Sequence, residues 1–337
     1  MSHEWPAYGL ASDVRPVLAR ALKAGQPAVM VTLVAAEGAA PLGVGAQMLF
    51  AGEEQAGFLS GGCVEGDVAL HAAAVMADGA PRRLIYGRGG PPDIQLLCGS
   101  RIELLAERLA PTQAARLLAL AQARRPALWL SDGHVQLCVA EGEAAPGQLG
   151  HALQAAACTA AAAGATEEGA AFRRFDPAPR LVLVGGDPVA LAVARLAADA
   201  GLDVVLVRPK GPVEPPPASG VTYLRDSPAL ALSRLKVDPW TAIAALSHDL
   251  DIDHEALAVA LPSPALYVGA LGSRRRIPER LARLRAEGLS DVALERLRAP
   301  IGLEIGARTP FEIGVSILGE VIAAFRSHDQ RRTWTAP

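Results

Sequence analysis

The segment Ser60-Gly61-Gly62-Cys63-Val64-Glu65-Gly66 carries the clearest chemistry in the chain. Adjacent glycines let a backbone come close to a ligand or take up positive φ. A cysteine on such a turn, just ahead of a helix expected over 67–76, sits where first-turn N–H groups favour a thiolate. Glu65 is placed to hold a proton or an amide donor beside it, which makes Cys63 and Glu65 the candidate catalytic pair. The competing reading is a tight strand-to-helix turn with an incidental small thiol, and composition does not choose between the two. Cys98-Gly99-Ser100 precedes a strand expected over 102–106. A buried strand-end cysteine explains it equally simply, so its interest depends on closeness to Cys63.

Three further groups lie in the C-terminal half. Gly185-Gly186-Asp187-Pro188-Val189-Ala190 follows the apolar run Leu181-Val182-Leu183-Val184 and has the outline of a dinucleotide turn, but Asp187 stands where a glycine lets pyrophosphate approach. The next strand ends in Arg208, with Lys210 two residues on, where an NAD-binding unit carries an acidic residue for the ribose. Both departures favour a phosphate over NAD. In Gly269-Ala270-Leu271-Gly272-Ser273-Arg274-Arg275-Arg276, a strand gives way to a glycine turn and then a helix. N–H groups and guanidinium forks there make an anion site, with Arg274 and Arg275 tight against the turn. Arg276, Arg280 and Arg283 read as a solvated helix face. Ser247-His248-Asp249 falls at the C-terminal end of a strand, where open α/β sheets bind ligands; a local His–Asp hydrogen bond is the plainer alternative.

The elements that must position these residues follow from periodicity. Continuous apolar runs at 181–184 and 204–207, separated by an alanine-rich helix to Ala200, form a βαβ unit. Further strands at 241–247 and 265–271 predict a doubly wound parallel sheet. Thr309-Pro310-Phe311-Glu312 reads as an N-cap, a first-position proline and a capping-box glutamate. Ile317, Leu318, Val321, Ile322 and Phe325 recur at helical spacing after it and are expected to face the core. The N-terminal half reads as an internal duplication, about 1–110 and 111–176. Both 26–36 and 125–135 look like strands after an Ala/Leu helix, and 57–79 is echoed by 147–164 without the cysteine. Chance similarity between alanine-rich helices competes with that reading. Phe172 to Pro179 marks the domain boundary, giving domains 1–176 and 177–337.

The 337 residues suffice for two cores. Half the composition is hydrophobic, 51%, with only 4% aromatic, which suits alanine-rich α/β structure. A net charge of −3 argues against nucleic-acid binding. No secretory leader is legible at the start, and the most apolar stretch, 152–163, is too short to span a bilayer. A cytoplasmic protein with free thiols is expected. Cys138 and Cys158, in apolar surroundings, read as small buried hydrophobes.

Taken together the segments resemble the XdhC/CoxI family, accessory proteins of xanthine, aldehyde and carbon monoxide dehydrogenases. The resemblance rests on SGGCVEG at 60–66, SHD at 247–249, YVGALGSRRR at 267–276 and APIGLEIGARTPFEIGVSILGEVIAA at 299–324, in that order. It implies an N-terminal accessory domain followed by a Rossmann-like domain. It also implies a chaperone that binds the molybdenum cofactor (molybdopterin, or its cytosine dinucleotide form), assists its sulfuration and passes it to an apo molybdenum hydroxylase. A cysteine desulfurase would donate the sulfur, and a homodimer is expected, since such a chaperone must grip a large client. Cys63 corresponds to the family's cysteine. Gly61, Gly62, Cys98, Gly185, Gly186, Arg208, His248, Asp249, Gly272, Ser273, Arg274, Arg275 and Arg308 are then the candidate cofactor-binding residues, with no metal ligated by the chain itself. The sequence departs from the family at Gly38-Ala39-Ala40-Pro41-Leu42, which lacks a usual arginine, at Gly185 to Ala190, and at Cys98-Gly99-Ser100. An NAD(P)-dependent oxidoreductase and a cofactor-free assembly scaffold are the alternatives.

Overall fold

The computed structural model describes residues 5–40, 42–91, 94, 96, 99–159, 162–166 and 170–335. The chain divides into two compact units, Met1–Pro177 with Arg331–Pro337, and Ala178–Gln330.

The first unit begins with α1 (Arg15–Lys23), β1 (Val29–Glu37), β2 (Gln47–Ala51), β3 (Glu54–Gly57), α2 (Glu65–Asp78), β4 (Arg82–Gly87) and β5 (Arg101–Arg108). It continues with α3 (Pro111–Gln122), β6 (Ala127–Ser131), β7 (Gln136–Ala140), α4 (Gly147–Thr159), β8 (Ala163–Ala165) and β9 (Ala171–Phe175). Two antiparallel sheets result, in the orders β3-β2-β1-β5-β4 and β7-β6-β9-β8. β3 apart, both read helix, strand, strand, helix, strand, strand with the same neighbour order. β1 is apolar from Val29 to Ala36 except for the buried Thr32, because the strand is covered on both faces. Met30 joins Leu18, Leu117 and Trp129 in a core that the two sheets share, whereas Val29, Val31 and Leu33 pack with Val68, Val75 and Tyr86. Cys138 is buried in the shared core, and burial pushes its thiol up to about 12. Cys158 is only partly buried, at the margin of a smaller cluster around Leu128 and Phe172.

The second unit holds β10 (Arg180–Val184), α5 (Pro188–Asp199), β11 (Asp203–Val207), β12 (Val221–Leu224), α6 (Pro228–Leu235), β13 (Thr241–Ala245) and α7 (Leu250–Ala260). β14 (Tyr267–Ala270), α8 (Ile277–Ala286), α9 (Asp291–Leu294), β15 (Leu297–Arg298) and α10 (Pro310–Arg331) complete it. Its six parallel strands run β12-β11-β10-β13-β14-β15. That is the doubly wound order whose direction reverses between β10 and β13, opening a crevice at their C-terminal ends. Leu181 and Leu183 face one core and Val182 and Val184 the other.

In α10, Ile317, Leu318 and Val321 are buried as periodicity predicts, and Phe325 is partly so. Ile322 departs from the expectation: it is 38% exposed, because only a narrow stripe of the helix is covered. The sequence reading runs the second domain to residue 337, but the chain after α10 packs with the first unit. Trp334 is buried beside Leu128 and Phe172, and Arg332 pairs with Glu141 and Asp176. Among the described residues, no helix is long and apolar enough to cross a membrane.

Candidate functional site

Between β3 and α2 the chain makes a loop organised from beneath by one carboxylate. Glu65 is 3% exposed. Its Oε1 accepts the N–H groups of Leu59, Ser60 and Gly61 at 3.0, 2.7 and 3.1 Å. Its Oε2 accepts the Ser60 hydroxyl at 2.6 Å and the N–H groups of Gly62 and Val64 at 2.9 and 3.2 Å. The Ser60 oxygen accepts in turn from the N–H groups of Cys63 and Val64 at 3.0 and 3.1 Å. Gly61 and Gly62 take φ of 82° and 113° with open space where a Cβ would stand, so backbone conformation rather than clearance requires glycine. Burial alone would raise the Glu65 carboxyl; the Ser60 hydroxyl and the Ser60 and Leu59 amides outweigh it and hold it below the usual range.

Two corrections follow. The N–H groups of the turn itself, from Leu59 to Val64, are committed to Glu65 and Ser60 and are not offered to a Cys63 thiolate. Glu65 is itself committed to the loop, so its geometry is that of an anchor and not of an acid–base partner. What the arrangement displays is an exposed tip, Gly61-Gly62-Cys63, on a rigid base. Cys98 lies outside the described residues.

In the second unit the parallel sheet brings together residues far apart in sequence. Gly185, Gly186, Arg208, His248 and Asp249 line one cleft of about 380 Å³, with Asp187, Pro209, Ser247 and Ile252. They come from the C-terminal ends of β10, β11 and β13, where the doubly wound order predicts a ligand. A side chain at Gly186 would overlap Arg208. The glycine therefore makes room for the protein's own guanidinium, where a dinucleotide turn would make room for pyrophosphate. Asp187 caps α5, its Oδ1 accepting the Ala190 N–H at 2.7 Å, and its Oδ2 lies 3.1 Å from His248 Nε2. The helix N-terminus that would attract a phosphate thus already has an anion.

A buried aspartate missed from the sequence ties this cleft to the next turn. Asp253, 1% exposed, accepts the Ser247 N–H at 3.0 Å and meets Arg280 at 3.2 Å. Burial pushes its carboxyl up to about 6, against the pull of the Ser247 amide and Arg280. Arg280 is accordingly a half-buried structural partner rather than a member of a solvated face; Arg283, paired with exposed Asp251, does fit that face. Gly272 and Ser273 lead into a short 3-10 turn, Arg274–Arg276, ahead of α8. The cavity at Gly272 and Ser273 is only about 10 Å³, and it is lined by Arg276 and Arg280, not by Arg274 or Arg275. Arg274 pairs with Glu304 on the surface, and Arg275 is exposed. Arg308 lies apart from both, exposed, its N–H donating to Glu312 in the capping box of α10 at 2.7 Å. Among the described residues no three or more His, Cys, Asp or Glu side chains gather as a metal site would require.

Comparison with known proteins bears on this geometry. The model for the XdhC Rossmann domain matches residues 181–321, and that for the XdhC and CoxI family matches 21–87. The molybdenum cofactor insertion chaperone PaoD of Escherichia coli (strain K12) is 32% identical over 337 residues, 97% of this chain and 93% of its own. The chain belongs to the XdhC and CoxI family. A Bacillus subtilis (strain 168) protein, named as a probable xanthine dehydrogenase component, is 27% identical over 315 residues, covering 88% of this chain and 93% of that one. A crystal structure described as a xanthine dehydrogenase from Bacillus halodurans superposes with a TM-score of 0.74 at 25% identity, covering 94% of this chain and 96% of that one. The XdhC and CoxI match that includes the Cys63 loop and the XdhC Rossmann match that includes the 380 Å³ cleft thus fall on separate units of the chain.

Proposed function

We propose that this member of the XdhC and CoxI family is a molybdenum cofactor insertion chaperone that takes part in sulfuration of its cargo through Cys63. Support for the cargo comes from the likeness to PaoD across nearly the whole chain. Support for the sulfur step comes from one observation: Cys63 is exposed at the tip of a loop whose base is fixed by a buried carboxylate. A thiolate so displayed can attack the terminal sulfur of a donor persulfide. The donor's S–S bond breaks and its thiolate leaves, while a new S–S bond leaves Cys63 as the persulfide, with no external oxidant. A cysteine desulfurase is the donor this reading calls for, and an apo molybdenum hydroxylase the recipient. The Rossmann-like cleft, with Arg208 over Gly186, is the place we assign to the anionic end of the cargo, a phosphate or the pyrophosphate of the cytosine dinucleotide form. Arg274, Arg275 and Arg308 stand outside that cleft, Arg274 paired with Glu304. The setting is the cytoplasm and the chaperone works as a homodimer.

The test is Cys63→Ser. Because the side chain is exposed at a turn, the variant should unfold within about 0.5 kcal/mol of the wild type. It should still carry cofactor, yet its client hydroxylase should accumulate with cofactor lacking the sulfido ligand, measured as cyanide-releasable sulfur. A client matured as fully by the serine variant as by the wild type would end the sulfur role and leave cargo binding standing.

A further inference from the structure

On α2, one turn beyond the Cys63 loop, a group of side chains has no place in the site described above. Asp67 and His71, four residues apart, stack on one helix face, His71 Nε2 lying 3.4 Å from Asp67 Oδ2. The same oxygen accepts the hydroxyl of Tyr86 at 2.6 Å, and Tyr86 is 1% exposed. These three line a cleft of about 320 Å³ with Arg83, Ile85 and the Gly89-Gly90 turn. Its far wall is β4, the outermost strand of its sheet. That volume suits a small bicyclic molecule.

The donor set narrows the ligand. A phenol and an imidazole on one oxygen orient the Asp67 carboxylate and leave its remaining lone pairs for the cleft it lines. A carboxylate fixed in this way repels a phosphate. It matches a group that presents two parallel N–H donors, the geometry that makes carboxylate–guanidinium pairs bidentate. In a heterocycle that pattern is the 2-amino-4-oxopyrimidine edge, shared by pterins and guanine. Along the axis Asp67 is about 3 Å and His71 about 9 Å from Glu65, where α2 begins. The acceptor Asp67 thus stands in the first turn of α2, the helix that the Cys63 loop leads into.

We propose that the cleft between α2 and β4 binds the aminopyrimidinone edge of the cargo's pterin, with Asp67 as the acceptor. The proposal rests on the cofactor-chaperone reading and gives the ring end of the cargo a seat in the first unit.

The experiment titrates the full chain with 6-hydroxymethylpterin, followed by its fluorescence, and with GMP in a parallel arm. Wild type binds the pterin; Asp67→Asn, which turns an amide N–H toward the ring's donors, weakens it at least tenfold. His71→Gln, at a side chain 40% exposed and so tolerant of change, weakens it severalfold and guards against a folding defect in the first variant. Equal pterin affinity in wild type and both variants overturns the proposal. So does tighter binding of GMP than of pterin with both lost in Asp67→Asn, which would assign the cleft to guanine nucleotides. Cofactor retained on anaerobic purification separates the two readings. Equal retention by wild type and Asp67→Asn sinks this cleft alone, whereas a wild type that binds free pterin but retains no cofactor sinks the chaperone reading on which it rests.

Discussion

Helices α2 and α4 hold equivalent places in two sheets of the same topology, and the loops leading into them are pinned by different chemistry. Before α4 the pin is neutral: Gln154, 5% exposed, accepts the Ala145 N–H at 2.9 Å and donates to the Glu143 carbonyl at 2.6 Å. Before α2 the pin is the buried charge of Glu65, met by five backbone N–H groups and one hydroxyl. A loop can evidently be held without burying a charge, which is costly unless every lone pair finds a donor. The charged version turns all its amides inward and so fixes a glycine-rich tip that carries the thiol. The proposed sulfur chemistry belongs to the loop with the more demanding anchor.

The comparison breaks most visibly at Glu65. Glu65→Ala strands five amides, each costing about 1–3 kcal/mol if left unpaired, partly relieved by water at the exposed tip. A net loss of about 4 kcal/mol in urea unfolding is expected, and a loss below about 1 kcal/mol would mean the loop holds itself. Because its folded carboxyl is held low, the stability Glu65 contributes is present above its ordinary value near 4.5 and lost as pH falls through the folded value.

Glu107 is the opposite case in the same unit. It is 1% exposed, but its partners are the Ser131 hydroxyl and Gln136 Nε2, with no cage of amides. Burial wins and pushes the carboxyl from near 4.5 up to about 7, against Ser131 and Gln136. A raised carboxyl reverses the sign: its contribution is full below about 4.5 and is lost as pH rises through about 7. Over that window the wild type should lose on the order of 2–3 kcal/mol. Glu107→Gln should remove Glu107's share of that slope, leaving the share of Asp253, whose carboxyl is also raised, and the acid-side loss from Glu65. An unchanged slope in urea midpoints between pH 4.5 and 7.5 would place the titration elsewhere.

Much of this was legible in the sequence. The apolar runs at 181–184 and 204–207 gave the parallel sheet because strands covered on both faces have no polar side to show, and the N-cap, proline and capping-box glutamate marked α10 for local reasons. The Cys63 segment stood out by its glycines. The direction of its amides did not, since a carboxylate five residues after Ser60 competes with the thiol for the same donors and only the folded loop decides. Arg274 and Arg275 read as ligands by nearness to a glycine turn, yet nearness in sequence does not set side-chain direction, and Glu304 takes Arg274. Asp67 and His71 could have been found, being four apart on a marked helix; Tyr86 could not, because strand β4 brings it there from across the sheet.

Asp187 sharpens the comparison with the smallest effect. Like Glu65 it is an acidic residue parked at a helix N-terminus, but it lines an open cleft instead of a closed loop, and His248 beside it is 82% exposed by side chain. Its charge should therefore act on a ligand more than on stability. Asp187→Ser keeps a cap for Ala190 and removes the charge, so unfolding should change by less than about 1 kcal/mol. The carboxylate now opposes any phosphate drawn to α5, a repulsion that solvent in an open cleft screens to about 1 kcal/mol. Calorimetry with pyrophosphate should accordingly show a several-fold gain in affinity for the serine variant, while NADH binds neither the variant nor the wild type tightly, since Arg208 still fills the space over Gly186. A micromolar Kd for NADH in the wild type would overturn this account, because it would require the dinucleotide to displace a charge and a side chain that the fold has put in its way.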